Sequence, residues 1–234
     1  MSAELIEAGA HLAALGLSPG SSGNLSVREG DRLLITPTGA DLSALDPEGL
    51  SVLDEHGTHV AGPMPSKEFP LHLALYRRDP AAKAVVHLHA RHAAAVACLP
   101  PWSPRSAIPP LTPYFVMRVG QTPLIGYAAP GDAAQAGELE RLDFPFRAAL
   151  LQNHGPIVTG SSMSAAVDAA VEVEEVCALL LLLGDREPRF LADAEIRELT
   201  GRYGTPWGTG ADENGPTSLR QDVTHVRHTP VRPA

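Results

Sequence analysis

The chain is predicted to be an α/β protein, an α/β sandwich of three layers sharing one core. Two observations predict this. Short strand-like runs bounded by Gly and Pro turns are interleaved with helix-period segments along the chain, and strands and helices that share a core settle into stacked layers. The 234 residues, 44% of them hydrophobic, suffice for a substantial core without staples.

Residues 4–15 place Leu5, Ala8, Leu12 and Leu15 at helical spacing and stop at Gly16, although Gly9 interrupts the pattern. A breaker-rich loop, 18–24, follows. Residues 25–28 and 33–36 flank Glu29-Gly30-Asp31 and predict a hairpin. Residues 50–53 and 59–60 predict short strands around Glu55-His56-Gly57. A helix is predicted over 69–76, with Pro70 tolerable in its first turn. Strands are predicted at 84–89, 124–127 and 148–153. A long helix over 164–183 ends at Gly184, and a short one spans 195–203. One catalytic domain is expected over 1–204. The stretch 205–234, rich in Gly, Pro and polar residues, reads as a tail.

Acidic residues outnumber basic ones by 27 to 18, a formal net charge of −9. That field disfavours nucleic acid and anionic membranes as partners. An anionic ligand would need a local cluster of cations and backbone N–H groups. The longest apolar run, 176–183, reads as the end of a buried helix and falls far short of the ~20 residues of a membrane span. The first ten residues, MSAELIEAGA, lack the basic and apolar regions of a secretory signal. Cys98 and Cys177 sit in apolar stretches, which predicts buried thiols in a reducing, cytoplasmic setting rather than a disulfide.

The most informative stretch is Val85-Val86-His87-Leu88-His89. On a strand, alternation puts His87 and His89 on one face, where two neutral imidazoles can chelate a metal. A hydrogen-bonded pair in a partly polar core is the bland alternative. His154 follows the apolar run 150–151 and precedes Gly155, a strand end where backbone can bend close to a ligand. Three histidines with an open position make a catalytic zinc pattern, about one ion per chain. Alone, His154 would be a capping or turn histidine. Glu68, at the start of a helix, is a candidate fourth ligand or general acid/base; otherwise it serves the helix dipole. Ser21-Ser22-Gly23-Asn24, Thr38-Gly39 and the helix start at Ser66-Lys67 offer hydroxyls and N–H groups that can cradle a phosphate, though such turns are common. His72, His92 and the remaining histidines read as structural or solvated.

Taken together, SSGNLSVR (21–28), ITPTG (35–39), PSKEFPLHLALYRRDP (65–80), AVVHLHA (84–90) and LLQNHGPIV (150–158) resemble the class II aldolase/adducin family. The blocks occur in the family's order and span nearly the whole chain to Arg202. The resemblance implies an α/β/α sandwich around a mostly antiparallel sheet, and homotetramers with active sites between subunits. A narrower resemblance, carried also by LTPYFVMRVGQTPL (111–124), YAAPGD (127–132) and LGDREPRFL (183–191), is to the family's 3-oxo-tetronate 4-phosphate decarboxylases. By resemblance, His87, His89 and His154 bind a divalent ion, zinc first, with manganese, cobalt or nickel as alternatives. Glu68 is the acid/base and a possible resting ligand. Gly23, Asn24, Thr38, Gly39 and Ser66 bind phosphate. Lys67 stands where aldolases of the family typically carry a serine that touches phosphate, and it would join that site or hold a carboxylate. Tyr114 corresponds to a tyrosine reaching in from the next subunit. Arg118, in a segment that also departs from the aldolase pattern, is the second cation nominated for an acid substrate.

The expected reaction is decarboxylation of a 3-oxo-tetronate 4-phosphate to dihydroxyacetone phosphate. The family's aldolases reach the same enediolate by releasing an aldehyde, so the metal site alone does not separate the two. An aldolase or epimerase acting on a sugar phosphate is the second reading. A metal-free module like the adducin head is the third, and retention of all three histidines and Glu68 counts against it.

Overall fold

The fold is described from a computed structural model covering residues 2–208; the remainder of the expected tail, 209–234, lies outside the described residues. A hairpin of β1 (Asn24–Glu29) and β2 (Arg32–Ile35) continues into β3 (Ser51–Asp54) and the short β4 (His59–Ala61). On its other side β1 pairs with β5 (Ala84–His87), followed by β8 (Gly155–Gly160), β7 (Ala148–Leu151) and β6 (Leu124–Ile125). All neighbours are antiparallel except β6 and β7. The eight-stranded sheet is therefore mixed but mostly antiparallel.

The central strands are buried on both faces, as in β5 and β7, so they read as continuous apolar runs rather than alternating ones. Alternation instead divides their side chains between two apolar clusters. Leu25, Val27, Val86, Leu150 and Val158 pack with α1 (Ser2–Ala14), α3 (Arg91–Val96), α4 (Pro113–Arg118) and α6 (Met163–Leu183). Leu33, Ile35, Val85, Ala149 and Ile157 pack with α2 (Phe69–Arg78) and α5 (Ala134–Arg141). His87, two residues beyond Val85, faces the α2 side. Gly9 is required by close approach: a Cβ there would stand 2.7 Å from the Leu42 carbonyl oxygen.

Several elements differ from expectation. β5 ends at His87, although the Leu88 N–H still bonds to the Pro156 carbonyl. β8 was not predicted, because Gly155-Pro156 reads locally as a breaker; α3, α4 and α5 are too short or too weakly apolar to show a clear helical period. Cys177 is buried as expected, but Cys98 is exposed at the end of α3. The last turns of α6 are not fully buried: Leu182 is 76% exposed. After α7 (Asp193–Tyr203), residues 205–208 return to the body. The Gln121 N–H bonds to the Pro206 carbonyl and Trp207 meets Phe115 edge-on.

Candidate metal centre

Three chain segments meet at one end of the central strands. β5, held between β1 and β8, carries His87 at its last position. The chain then leaves the ladder and presents His89. The turn between β7 and β8 presents His154, and Asn153 before it takes the left-handed conformation, φ 58°, which Asn tolerates better than most residues. Glycines allow the segments to close in. A Cβ on Gly155 would lie 2.3 Å from the Leu88 carbonyl oxygen, and one on Gly23 would lie 2.9 Å from that of His87. Glu68, at the N-cap of α2, completes the group without capping the helix itself.

Donor atoms of Glu68, His87, His89 and His154 all lie within 4.8 Å of one another. His154 Nε2 is 2.9 Å from His89 Nε2 and 3.3 Å from His87 Nε2. The two Glu68 oxygens lie 3.3 Å from His87 Nε2 and 3.2 Å from His154 Nε2. Metal–nitrogen bonds of about 2.0–2.1 Å in a tetrahedron require ligand separations of roughly 3.3 Å, so the donor set fits a small divalent cation. His87 Nδ1 is 2.9 Å from the Pro156 carbonyl, to which it must donate, and in the neutral ring this leaves the lone pair on Nε2, toward the centre.

The electrostatics suit ligation. Burial lowers the His154 pKa to about 4; the charge of His87 adds to this, and Glu68 opposes it. His89 is lowered for the same leading reason. Both rings are thus neutral, as ligands must be. Burial alone would raise the Glu68 carboxyl, but His87, the Asn24 amide and His154 outweigh it and hold it below the usual range.

The expected anion loops lie beside this centre. Gly23 packs on the end of β5, and the Asn24 amide donates to Glu68 Oε2 at 2.7 Å. The Ser66 N–H bonds to the Thr36 carbonyl and the Thr38 N–H to that of Met64, which ties the two loops side by side. Ser66 Oγ accepts from the Glu68 N–H. Thr38, Gly39 and Lys67 are exposed, and Lys67 lies against Gly131.

Tyr114 and Arg118 are not brought to this centre within the chain. Tyr114 is 58% exposed on α4. Arg118 lies over its ring, 5.5 Å from the centroid, and 3.9 Å from Glu172. Arg118 also lines a cavity of about 200 Å³ with Asp79, Arg147 and Gly160, at the end of β8 opposite Gly155.

Two further residues shape the centre: His72, which reads as structural in the sequence, and Glu174, which the sequence does not single out. His72 is fully buried on α2 and contacts the Asn24 side chain; burial, with the charge of His87, lowers its pKa to about 3. The available signal was its helical spacing of four from Glu68. Glu174 on α6 binds the N–H groups of His92 and Ala93 with its two oxygens. It thereby anchors the start of α3 just after His89, and no local pattern pointed to it.

A model of the class II aldolase and adducin N-terminal domain matches residues 3–181. A 3-oxo-tetronate 4-phosphate decarboxylase from Pectobacterium atrosepticum is 45% identical over 199 residues, covering 85% of this chain and 91% of that protein. An L-fuculose phosphate aldolase from Haemophilus influenzae is 31% identical, covering 88% of this chain and 94% of that protein. The crystal structure of YgbL from Klebsiella pneumoniae superposes with a TM-score of 0.81 at 44% identity, covering 85% of this chain and 96% of that one. With its histidines and Glu68 drawn together on this fold, the chain belongs to the class II aldolase and adducin family.

Proposed function

We propose that the chain is a metal-dependent carbon–carbon lyase that converts a 3-oxo-tetronate 4-phosphate to dihydroxyacetone phosphate and carbon dioxide. One observation carries this reading: three imidazoles and a carboxylate converge in a chain that is 45% identical to a decarboxylase of that substrate class. His87, His89 and His154 hold the cation, with Glu68 as a resting ligand. Zinc suits the donor set first; manganese, cobalt and nickel are the alternatives. When bound, the ion supplies a Lewis acid for the negative charge that develops as carbon dioxide leaves.

The chain's own groups do the rest. Gly23, Asn24, Thr38, Gly39 and Ser66 seat the phosphate, and Lys67 orients the carboxylate without binding it so tightly as to oppose its departure. The bond to the carboxyl carbon breaks, its electron pair stays on the carbon beside the ketone, and Glu68, ionised at rest, delivers there, directly or through a relay, a proton taken up from solvent.

Tyr114 and the adjacent Arg118 lie away from their own centre, which supports their serving a neighbouring copy in a homotetramer. The exposure of Tyr114 and Leu182 is consistent with such an assembly. The apolar clusters on the two faces of the sheet support a three-layer sandwich. We assign catalysis to residues 1–204, with 205–234 appended, in a cytoplasmic enzyme; no described helix is long and apolar enough to cross a membrane.

The test is a coupled assay for carbon dioxide and dihydroxyacetone phosphate from 3-oxo-tetronate 4-phosphates, beside an aldolase assay with fuculose and rhamnulose phosphates. Decarboxylation with little aldehyde release is expected. Fast aldehyde release without decarboxylation would move the chain to the aldolase reading.

A further inference from the structure

A line of buried side chains runs from Glu68 into the protein. Asn24 Nδ2 donates to Glu68 Oε2 at 2.7 Å, and Asn24 Oδ1 is 2.5 Å from His72 Nε2. His72 Nδ1 is 2.7 Å from Ser26 Oγ, which is 2.9 Å from the Tyr76 hydroxyl. Asn24, Ser26, His72 and Tyr76 are each no more than 4% exposed.

The chemistry at the Glu68 end sets the direction of every bond. An ionised carboxylate only accepts, so Asn24 turns its amide N–H toward Glu68 and its oxygen toward His72. That oxygen also only accepts, so the ring proton of His72 sits on Nε2. In a neutral ring Nδ1 is then a lone pair, and it takes the Ser26 O–H. Tyr76 must donate toward Ser26, either to its Oγ or to its carbonyl oxygen at 3.1 Å. Asn24, His72 and Ser26 thus each have one orientation that satisfies these contacts, and breaking a buried hydrogen-bond network is costly.

We infer that His72 and Ser26 are positioning residues: they lock the Asn24 amide, which pins Glu68 Oε2 and leaves Oε1 facing His154 Nε2. The effect on zinc affinity rests on the reading of Glu68 as a ligand given above; the locking of the amide does not. Without a donor at His72 the Asn24 amide is free to turn over. Its oxygen would then face the carboxylate, and Glu68 would lose its anchor. The lock also limits what Asn24 offers a substrate, because one amide N–H is already committed to Glu68.

The test compares His72→Leu and His72→Gln in the full chain. Gln carries an N–H near the position of His Nε2 and keeps the bond to Asn24; Leu does not. Zinc affinity, measured by competition with a chromophoric chelator, is expected to fall about 10–100-fold in His72→Leu, the scale for lost outer partners of a ligand. Turnover is expected to fall about tenfold or more with KM changed less than about threefold, and Gln should restore both affinity and turnover to within about threefold. If Leu matches wild type, or if Gln is as impaired as Leu, the inference is overturned. Should neither variant fold, nitrogen-15 NMR of the zinc-loaded wild type decides. It is expected to show His72 as the Nε2–H tautomer, and an Nδ1–H tautomer or an imidazolium would overturn the inference. Zinc affinity and tautomer do not depend on which substrate is turned over. A wild type that binds zinc in this pattern but releases no carbon dioxide would therefore overturn the proposed function and leave the lock standing.

Discussion

His87 Nδ1 and the Pro156 carbonyl are 2.9 Å apart, so the backbone of β8 dictates which nitrogen of a β5 histidine faces Glu68. The ring needs no reorganisation to ligate. The protein is expected to carry about one divalent ion per chain, lost to a strong chelator together with activity and restored by adding zinc. Elemental analysis before and after chelation checks this. Protein that shows no metal even after zinc is added would contradict it.

Glu68→Gln preserves shape and the contact with Asn24 but removes the proposed proton-transfer group. Turnover is expected to drop about 10²-fold or more while bound metal stays within the range of wild type. Steady-state kinetics beside metal analysis measure both; unchanged turnover would assign the proton to another group.

Lys67 is exposed beside Glu68, so its removal disturbs no core packing. Lys67→Ala is expected to lose about tenfold or more in kcat/KM on a 3-oxo-tetronate 4-phosphate, an interaction to a charged group being worth roughly 1.5–3 kcal/mol. Its melting temperature should stay close to that of wild type. Equal kcat/KM in the two proteins would remove Lys67 from the site.

The metal-free protein should weaken in acid. The pKa of His154 is lowered to about 4 and that of His72 to about 3, from an ordinary 6.5. Between these values the unfolded chain binds protons that the folded chain refuses. The stability these rings contribute is complete above pH 6.5 and drains as pH falls toward 4 and then 3. Glu68, lowered from 4.5, adds loss in the same direction below that pH. Thermal midpoints of chelator-treated protein should decline steadily from pH 7 to pH 4; a flat profile would show that these rings are not held neutral.

Gly155→Ala tests the closeness of the three segments. The added methyl would stand 2.3 Å from the Leu88 carbonyl oxygen, backbone that carries His89. Overpacking of this kind costs about 1–3 kcal/mol, and it should weaken zinc binding as residues 88–89 are pushed away. Denaturant unfolding and zinc titration read the two effects, and wild-type values in both would refute the account.

Much of the site was legible because its chemistry is local. His87 and His89 stand two apart after an apolar run, His154 precedes a glycine, and Glu68 opens a helix; each motif carries its residue type in its own neighbourhood. The hairpin of β1 and β2 and the long helix α6 were legible for the same reason, since turn residues and helical period are local signals. The expectation that His89 sits on the strand was too simple: β5 ends at His87, and His89 reaches the centre from beyond the ladder. β8 was hidden because Gly155-Pro156 looks like a break until β5 and β7 stand on either side of it.

By itself the sequence determined the candidate ligand types, their order along the chain and the acidic field that would confine any anion binding to a local site. Only the tertiary structure decided which groups meet. It turned Asn24 toward Glu68, buried His72 behind it, and set Tyr114 and Arg118 at a distance from their own centre. These are contacts between residues tens of positions apart, such as the 44 that separate Asn24 from Glu68. No local propensity encodes such pairs, because their partners are chosen by the register of β1 against β5 and by the packing of α2 over that sheet face.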